Sequence, residues 1–550
     1  MGGGIETGGG VGTTSMGKKA LVASVWRPLL VFLMLLGSLM YISVGQLMVE
    51  RRHKELKIGV QGAANGSIGV SSSVGSVQQA GIFDFSRRAL AVGGQADPLS
   101  GSAVNPWRQP ESQGWHACGQ EVASIQKDAA PMLSQGYLLV STNGGLNQMR
   151  AAICDMVAMA YWMNVTLVIP ELDKSSFWAD SSEFEDIFDV DHFVQTLKPL
   201  VPVVRTLPPK LGARAHKLPV LDPISWSQAG YYTHHVLPLI RKHGAVRLAK
   251  TDSRLANNGL PFSIQHVRCR TQFHALRFTP AIEALGRRLV ALMRERARGG
   301  PFLALHLRYE MDMLAFSGCT HGCSPQEERQ LTDLRYSVRH WREKEIDSAA
   351  QRRQGLCPLT PEEAGLFLKA LGFNESTHVY IAAGDIYGGQ ERMAKLAAMF
   401  PNLVRKDTLL DAAELASING HSSQLAALDY LVSLESDVFL PTFSGNMAKL
   451  IQGHRRYLGF RKTVIPSRRR LVEMLDLYSE GKATWGKAAE RIRDFHRSQT
   501  GGPARRAVMP KRPKLEDYFY ANPTECLCQD TDVEPGFELG VKPLHLLSAI

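Results

Sequence analysis

From Tyr137 to Ile169 the chain runs through a short apolar stretch (Tyr137–Ser141), a glycine turn (Asn143-Gly144-Gly145), a helical pattern from Leu146 to about Met163, and a second apolar stretch (Val165–Ile169). Strand, tight turn, helix and strand in that order make a right-handed crossover between parallel neighbours. This stretch commits the chain to a parallel sheet with helices on its faces. A second alternation opens at Pro301-Phe-Leu-Ala-Leu-His306. It continues with a helix near Thr360–Leu371, the strand His378–Ala383, and helices at about Gln390–Met399 and Ser422–Leu434. The strand Asp437–Leu440 and a helix from about Gly445 complete it. Between the two alternations lies a long region with one helical stretch, Pro280–Arg298. The pattern predicts an α/β protein of two Rossmann-like domains facing a cleft, residues 136–300 and 301–475, with a C-terminal extension over 476–550.

Ahead of this body, Pro28–Val49 contains 22 residues without a charge. At about 1.5 Å per residue they reach roughly 33 Å, enough for a transmembrane signal anchor. A cleaved signal peptide would have a shorter apolar region and a small-residue cleavage site. Residues 1–27 read as a cytosolic tail, and residues 50–135, rich in Gly, Ser, Ala and Val, as a flexible stem. Basic residues flank the span on both sides, so charge does not orient it. Sequons at Asn65, Asn164 and Asn374 permit glycosylation of a lumenal body. A single-pass, type II topology is the economical one.

The net charge of +11 points to an anionic partner, and clusters such as Arg455-Arg456, Arg461-Lys462 and Arg468-Arg469-Arg470 supply much of it. Nucleic acid is disfavoured, because no zinc-finger spacing or aromatic-interleaved basic stretch accompanies the charge. Nucleotide phosphates, an acidic polysaccharide and a membrane surface stay open. The eight cysteines include no CxxC pair and no histidine at zinc spacing, so disulfides in an oxidising lumen are expected for some. Cys154 falls inside the first helical pattern and reads as a buried free thiol.

Three turns carry candidate chemistry. Asn143-Gly144-Gly145 opens a helix, where backbone N–H groups face a phosphate or an acceptor group, but the pattern is neither a dinucleotide fingerprint nor a Walker motif. Taken alone, an ordinary tight turn is the plainer reading. His306-Leu307-Arg308 ends an apolar strand, where ligands sit in open parallel sheets. Arg308 presents a planar fork suited to a pyrophosphate, against the plainer reading of a salt bridge to Glu310 or Asp312. Ser444-Gly445-Asn446 follows the strand after Asp437 and could cradle a phosphate or simply cap a helix. Asp437 and Asp385 are candidate readers of a base or ribose, and Asp173 could enter the cleft. Asp189-Val190-Asp191 is a literal DxD without the buried strand that a metal–diphosphate site requires.

The motifs GGLNQMRAAICDM, PELDKSSFWAD, DIFDVDHF, RLANNGLP, HLRYEMDMLAFSGC, CPLTPEE, FPNLVRKDTL, LDYLVSLESDVF and SGNMAKLIQGHRR stand in order between Gly144 and Arg456. Together they closely resemble the plant O-fucosyltransferase-like family, glycosyltransferase family 106, which includes rhamnogalacturonan I rhamnosyltransferases. The resemblance implies a GT-B fold, an inverting transfer and Golgi type II topology. It implies that His306, Leu307 and Arg308 form the HxR donor site. Gly144, Gly145 and Asn147 would then form the facing glycine–asparagine motif, and Asp437 through Asn446 the last donor-binding motif. Some related protein O-fucosyltransferases carry a glutamate base in the first glycine turn, where this chain has Gly144. The base is therefore left among Asp173, Glu310 and Asp312. The expected donor is GDP-fucose or UDP-rhamnose, used without a metal cofactor, and the acceptor a glycan or glycoprotein. The basic residues favour an acidic polysaccharide. A catalytically silent carbohydrate-binding or scaffold homologue is the alternative of a different class, and the pairing of His306 with Arg308 speaks against it.

Overall fold

The computed structural model describes residues 105–118, 134–176, 180–509 and 512–529. The apolar stretch 28–49, the sequon at Asn65, and residues 50–104 and 119–133 of the expected stem lie outside the described residues. Among the described residues no helix is long and apolar enough to cross a membrane.

After β1 (Trp115–Ala117) come β2 (Tyr137–Val140), β3 (Thr166–Val168), β4 (Val203–Val204), β5 (Val220–Leu221) and β6 (Ala245–Leu248). The last five form one parallel sheet in the order β4-β3-β2-β6-β5. The helix between β2 and β3, α1 (Leu146–Met163), is buried along nearly its whole length. Its sequence explains this: apolar and small residues occupy every face, and such a helix has no side to offer water. Asn164 stops it in the left-handed region at φ 50°.

The second sheet holds β7 (Phe302–His306), β8 (His378–Ile381), β9 (Leu403–Val404) and β10 (Val438–Pro441), parallel in the order β10-β7-β8-β9. Its strands alternate between two cores. Phe302, Ala304, Tyr380 and Phe439 enter one, while Leu303, Leu305, Val379, Ile381, Val438 and Leu440 enter the other. Burial on both faces is why these strands read as unbroken apolar runs.

Among the helices are α2 (Phe262–Arg270), α3 (Pro280–Arg296), α4 (Ser422–Glu435) and α5 (Asn446–Tyr457). The expected boundary at residue 300 misplaces α3. This helix packs on α4 and against β8, so closely that a Cβ on Gly286 would meet Leu431 Cδ1 at 2.5 Å. It covers the second sheet, although it precedes that sheet in sequence. In turn α5 crosses over and packs against α1.

A further expectation is corrected. The stem is not uniformly loose: Lys462 Nζ donates to Pro106 O at 2.7 Å, Gln109 Nε2 donates to Asp437 O at 3.1 Å, and Trp107 meets Phe373 edge-on at 5.0 Å. The C-terminal extension is fastened to the body as well. Its strand β11 (Leu527–Gln529) pairs antiparallel with β1, and disulfides Cys118–Cys528 and Cys269–Cys526 fasten it. Tyr520 Oη donates at 2.6 Å to Asp155, which also pairs with Arg268 at 2.6 Å in the interior. A third disulfide joins Cys319 and Cys357, and Cys154 is a buried free thiol as expected.

Part of the basic clusters is interior, since Arg455, Arg456 and Lys462 are buried while Arg469 and Arg470 are exposed. Arg455 is fully buried and donates to the carbonyls of Ser433, Leu434, Ser436 and Lys462. Arg456 is buried on Asn522 Oδ1 at 2.8 Å. Carbonyls at the ends of α4 and β10 need donors, and long side chains supply them.

Buried Asp180 joins the two halves. Its carboxylate accepts from Ser182 N at 2.8 Å and from Ser423 N at 2.5 Å, capping α4, which has no side-chain cap of its own. Burial alone would raise its carboxyl pKa, but these N–H donors outweigh it and the pKa falls below the usual range. Asp180→Ala should cost about 1–3 kcal/mol at pH 7. With a folded pKa below the unfolded one, the charge-linked part is complete above about pH 4–5 and fades as pH falls through the folded value. Urea midpoints of both proteins at pH 7 and pH 3 check this: the gap should narrow in acid. A gap independent of pH would refute the charge argument.

Candidate active site

His306 closes β7 at the C-terminal edge of the second sheet and is 4% exposed. Its Nδ1–H donates to Ala382 O at 2.8 Å, which leaves Nε2 as the ring's acceptor. Burial lowers its pKa against the pull of the Glu310 carboxylate, so the ring is neutral at pH 7. Arg308 N donates to Thr442 Oγ1 at 3.0 Å, and Thr442 N returns a bond to His306 O at 2.9 Å. Thr442, absent from the sequence-based candidates, thus stitches the ends of β7 and β10 together. The Arg308 guanidinium meets Glu310 at 2.6 Å and both oxygens of Asp312, at 3.0 and 2.5 Å. Burial opposes its charge, yet these carboxylates hold the proton more firmly than usual. One cation stands among two anions.

Beside this edge, Ser444 is exposed and α5 starts at Asn446 behind Gly445 without a side-chain cap. The first-turn N–H groups of such a helix are available to an anion. Asp385, after β8, lies at the same edge with a fully exposed side chain, 3.6 Å from Arg405.

In the first sheet, the turn after β2 depends on Gly144, whose φ is +88° and whose Cβ would fall 2.3 Å from Gln148 Oε1. Its N–H donates to Asp173 Oδ2 at 2.7 Å, and Gly145 N donates to Gln148 Oε1 at 3.0 Å. Both amides expected to face a ligand are therefore engaged within the fold. Asn147 is 7% exposed, and its Oδ1 has no hydrogen-bond partner among the described residues. Asn143 Oδ1 accepts from the backbone of Asp252, four residues past the end of β6, at 3.0 Å. Asp252 and Lys449 of α5 feel each other's charge, and α5 packs against α1, the helix that carries Gln148.

Residues 137–458 match the GDP-fucose protein O-fucosyltransferase family. The chain belongs to this family. Over 439 residues it is 54% identical to rhamnogalacturonan I rhamnosyltransferase 1 of Arabidopsis thaliana, spanning 76% of this chain and 85% of that protein. It is 55% identical to rhamnogalacturonan I rhamnosyltransferase 4 of Arabidopsis thaliana over 72% of this chain and 82% of the relative. To O-fucosyltransferase 38 of Arabidopsis thaliana it is 46% identical over 78% and 82%. A crystal structure of POFUT1 in complex with GDP overlaps 61% of this chain and 99% of that one, at 12% identity and a TM-score of 0.36, too slight a likeness to argue from.

The chain is thus a glycosyltransferase, and several site expectations need correction within it. Asp437 does not face a donor: it pairs with Arg294 at 2.5 Å and accepts from Phe302 N at 2.8 Å. It precedes β10, and in a parallel sheet that is the edge opposite the ligand-binding one. Leu307 is 0% exposed and belongs to the core. Asp173 is a loop organiser, since Ser175 N and Ser176 N bind its second oxygen at 2.9 and 3.1 Å. Glu310 and Asp312 are both engaged by Arg308. In the DxD, Asp189 caps the helix Val190–Leu197 and pairs with Arg277 at 2.5 Å, while Asp191 pairs with Arg205 at 2.7 Å. Among the described residues no three His, Cys, Asp or Glu side chains converge as metal ligands. Of the sequons, Asn374 is exposed in a turn, whereas Asn164 is half-buried and Thr166 lies inside β3.

Proposed function

We propose that this glycosyltransferase is a single-pass Golgi enzyme that moves rhamnose from UDP-rhamnose to a growing rhamnogalacturonan I chain, inverting the anomeric centre. The observation that carries the reading is the order of identity, 54–55% to rhamnogalacturonan I rhamnosyltransferases against 46% to an O-fucosyltransferase, each over most of both chains. The two parallel sheets take the GT-B roles, with the donor at the second sheet's C-terminal edge. Arg308 stabilises charge on the departing diphosphate, taking the place of a metal, and Glu310 and Asp312 hold its fork in position until the donor arrives. The first turn of α5, from Gly445 and Asn446, supplies N–H donors to the same phosphates. Neutral His306 accepts from a sugar hydroxyl through Nε2. Three disulfides support an oxidising lumenal setting, and exposed Asn374 suits glycosylation there. GDP-fucose with a glycan or protein acceptor is the second reading, favoured by the family match.

The test is a panel of nucleotide-sugars offered to the purified chain with a rhamnogalacturonan I oligosaccharide. The expected result is one added deoxyhexose from UDP-rhamnose and none from GDP-fucose. Transfer from GDP-fucose alone would replace this reading with the second.

A further inference from the structure

Four carboxylates stand at the C-terminal ends of the first sheet's strands, and three are spoken for. Glu171 is paired with Arg247, Asp222 with Lys250 at 2.7 Å, and Asp173 is filled by backbone donors. Asp252 differs. Its carboxylate is met by neutral groups, Gln148 Nε2 at 3.3 Å and Ser253 Oγ at 3.2 Å, and among the described residues it enters no ion pair. It is half-buried, so it is sheltered yet reachable. Its place is fixed twice, by the bond from its backbone N–H to Asn143 in the glycine turn and by Gln148 one turn into α1. Lys449 ties it electrostatically to α5, whose open first turn adjoins Thr442 and thereby the His306–Arg308 edge.

We propose that Asp252 is the general base of the transfer. Its carboxylate takes the proton of the acceptor hydroxyl as that oxygen bonds to the anomeric carbon. The bond from that carbon to the diphosphate breaks in the same step, and the nucleoside diphosphate leaves with the electron pair. Inversion needs the base and the leaving group on opposite faces of the sugar, and the two sheets provide them: Asp252 from the first, Arg308 from the second. Burial raises the Asp252 carboxyl pKa, with Ser253, Gln148 and the cations Arg254 and Lys449 offsetting only part of it, which makes it a better proton acceptor. The other titratable groups that feel its charge are Asp155 of α1 and Tyr518 of the C-terminal segment.

The inference rests on the glycosyltransfer reading but not on which sugar is moved. Its test uses the full chain with whichever nucleotide-sugar the wild type accepts, so an error in the donor shows in the wild type and leaves the comparison intact. Asp252→Asn should lower transfer about 10²–10⁴-fold, with UDP or GDP binding and thermal midpoint near wild type. Asp252→Glu should restore part of the rate. The acid limb of kcat/KM against pH in the wild type should vanish from the residual Asn activity. Turnover within about fivefold of wild type would overturn the assignment. So would loss of nucleotide binding and midpoint together with activity, which marks a structural residue.

Discussion

Arg308→Lys should lower turnover about 10²–10³-fold, roughly 3–4 kcal/mol of transition-state stabilisation. Lysine keeps the charge but loses the planar fork that grips Asp312 through two nitrogens and would grip a diphosphate in the same manner. The ion pairs with Glu310 and Asp312 complicate the outcome, because both carboxylates are largely buried and would be held less well by an ammonium. The thermal midpoint should therefore fall as well, and the two effects must be separated on one preparation. Turnover per folded molecule is the deciding quantity. A lowered midpoint with near-normal turnover would leave Arg308 a structural ion-pair member and end the leaving-group role.

Gly453→Ala should be the most damaging small substitution in the body. A Cβ there would lie 1.8 Å from Tyr520 O, a backbone atom that has no rotamer to escape into. The C-terminal segment would have to lift from α5, disturbing Tyr520 on Asp155 and the disulfide that follows it. The expected loss is about 3 kcal/mol or more, at the upper end for overpacking. Gly486→Ala is the matched control: it sits in the helix Trp485–His496, has nothing within 4 Å of its would-be Cβ, and should be neutral or stabilising by up to about 1 kcal/mol. Thermal midpoints of both variants read the contrast. Equal midpoints would show that the segment is not clamped at Gly453.

What could be read from the chain followed from how local each signal is. β2, β3, β7, β8 and β10 announce themselves because burial on both faces leaves runs of apolar residues. The pairing of Arg308 with Glu310 and Asp312 was visible as an alternative because the partners lie two and four residues away. Asp437 was misread for want of a direction: proximity to a donor turn says nothing about which end of the strand a residue occupies. Asp252 was missed because β6 is four residues long and carries Arg247 among its apolar residues, so the turn after it had no strand to mark it. The run Gly244-Ala-Val-Arg-Leu248, after a helix ending in His243, was the available signal. The clamps of the C-terminal segment are illegible in principle, since Cys269–Cys526 and Cys118–Cys528 join residues 257 and 410 positions apart.

The interior of the first half is finished by a segment made long after it. Asp155 and Arg268 are both translated long before Tyr520, which lies 365 residues beyond Asp155 and completes their buried bond. At about 5–20 residues per second, roughly 20–70 s of synthesis separate them. For that interval the polar pair lacks its third member and α1 lacks the cover it has in the finished protein. Contacts this distant in sequence form slowly, because the whole intervening loop must close first. The first half therefore reaches its final packing only after the second has been synthesised, and the two mature together rather than one after the other.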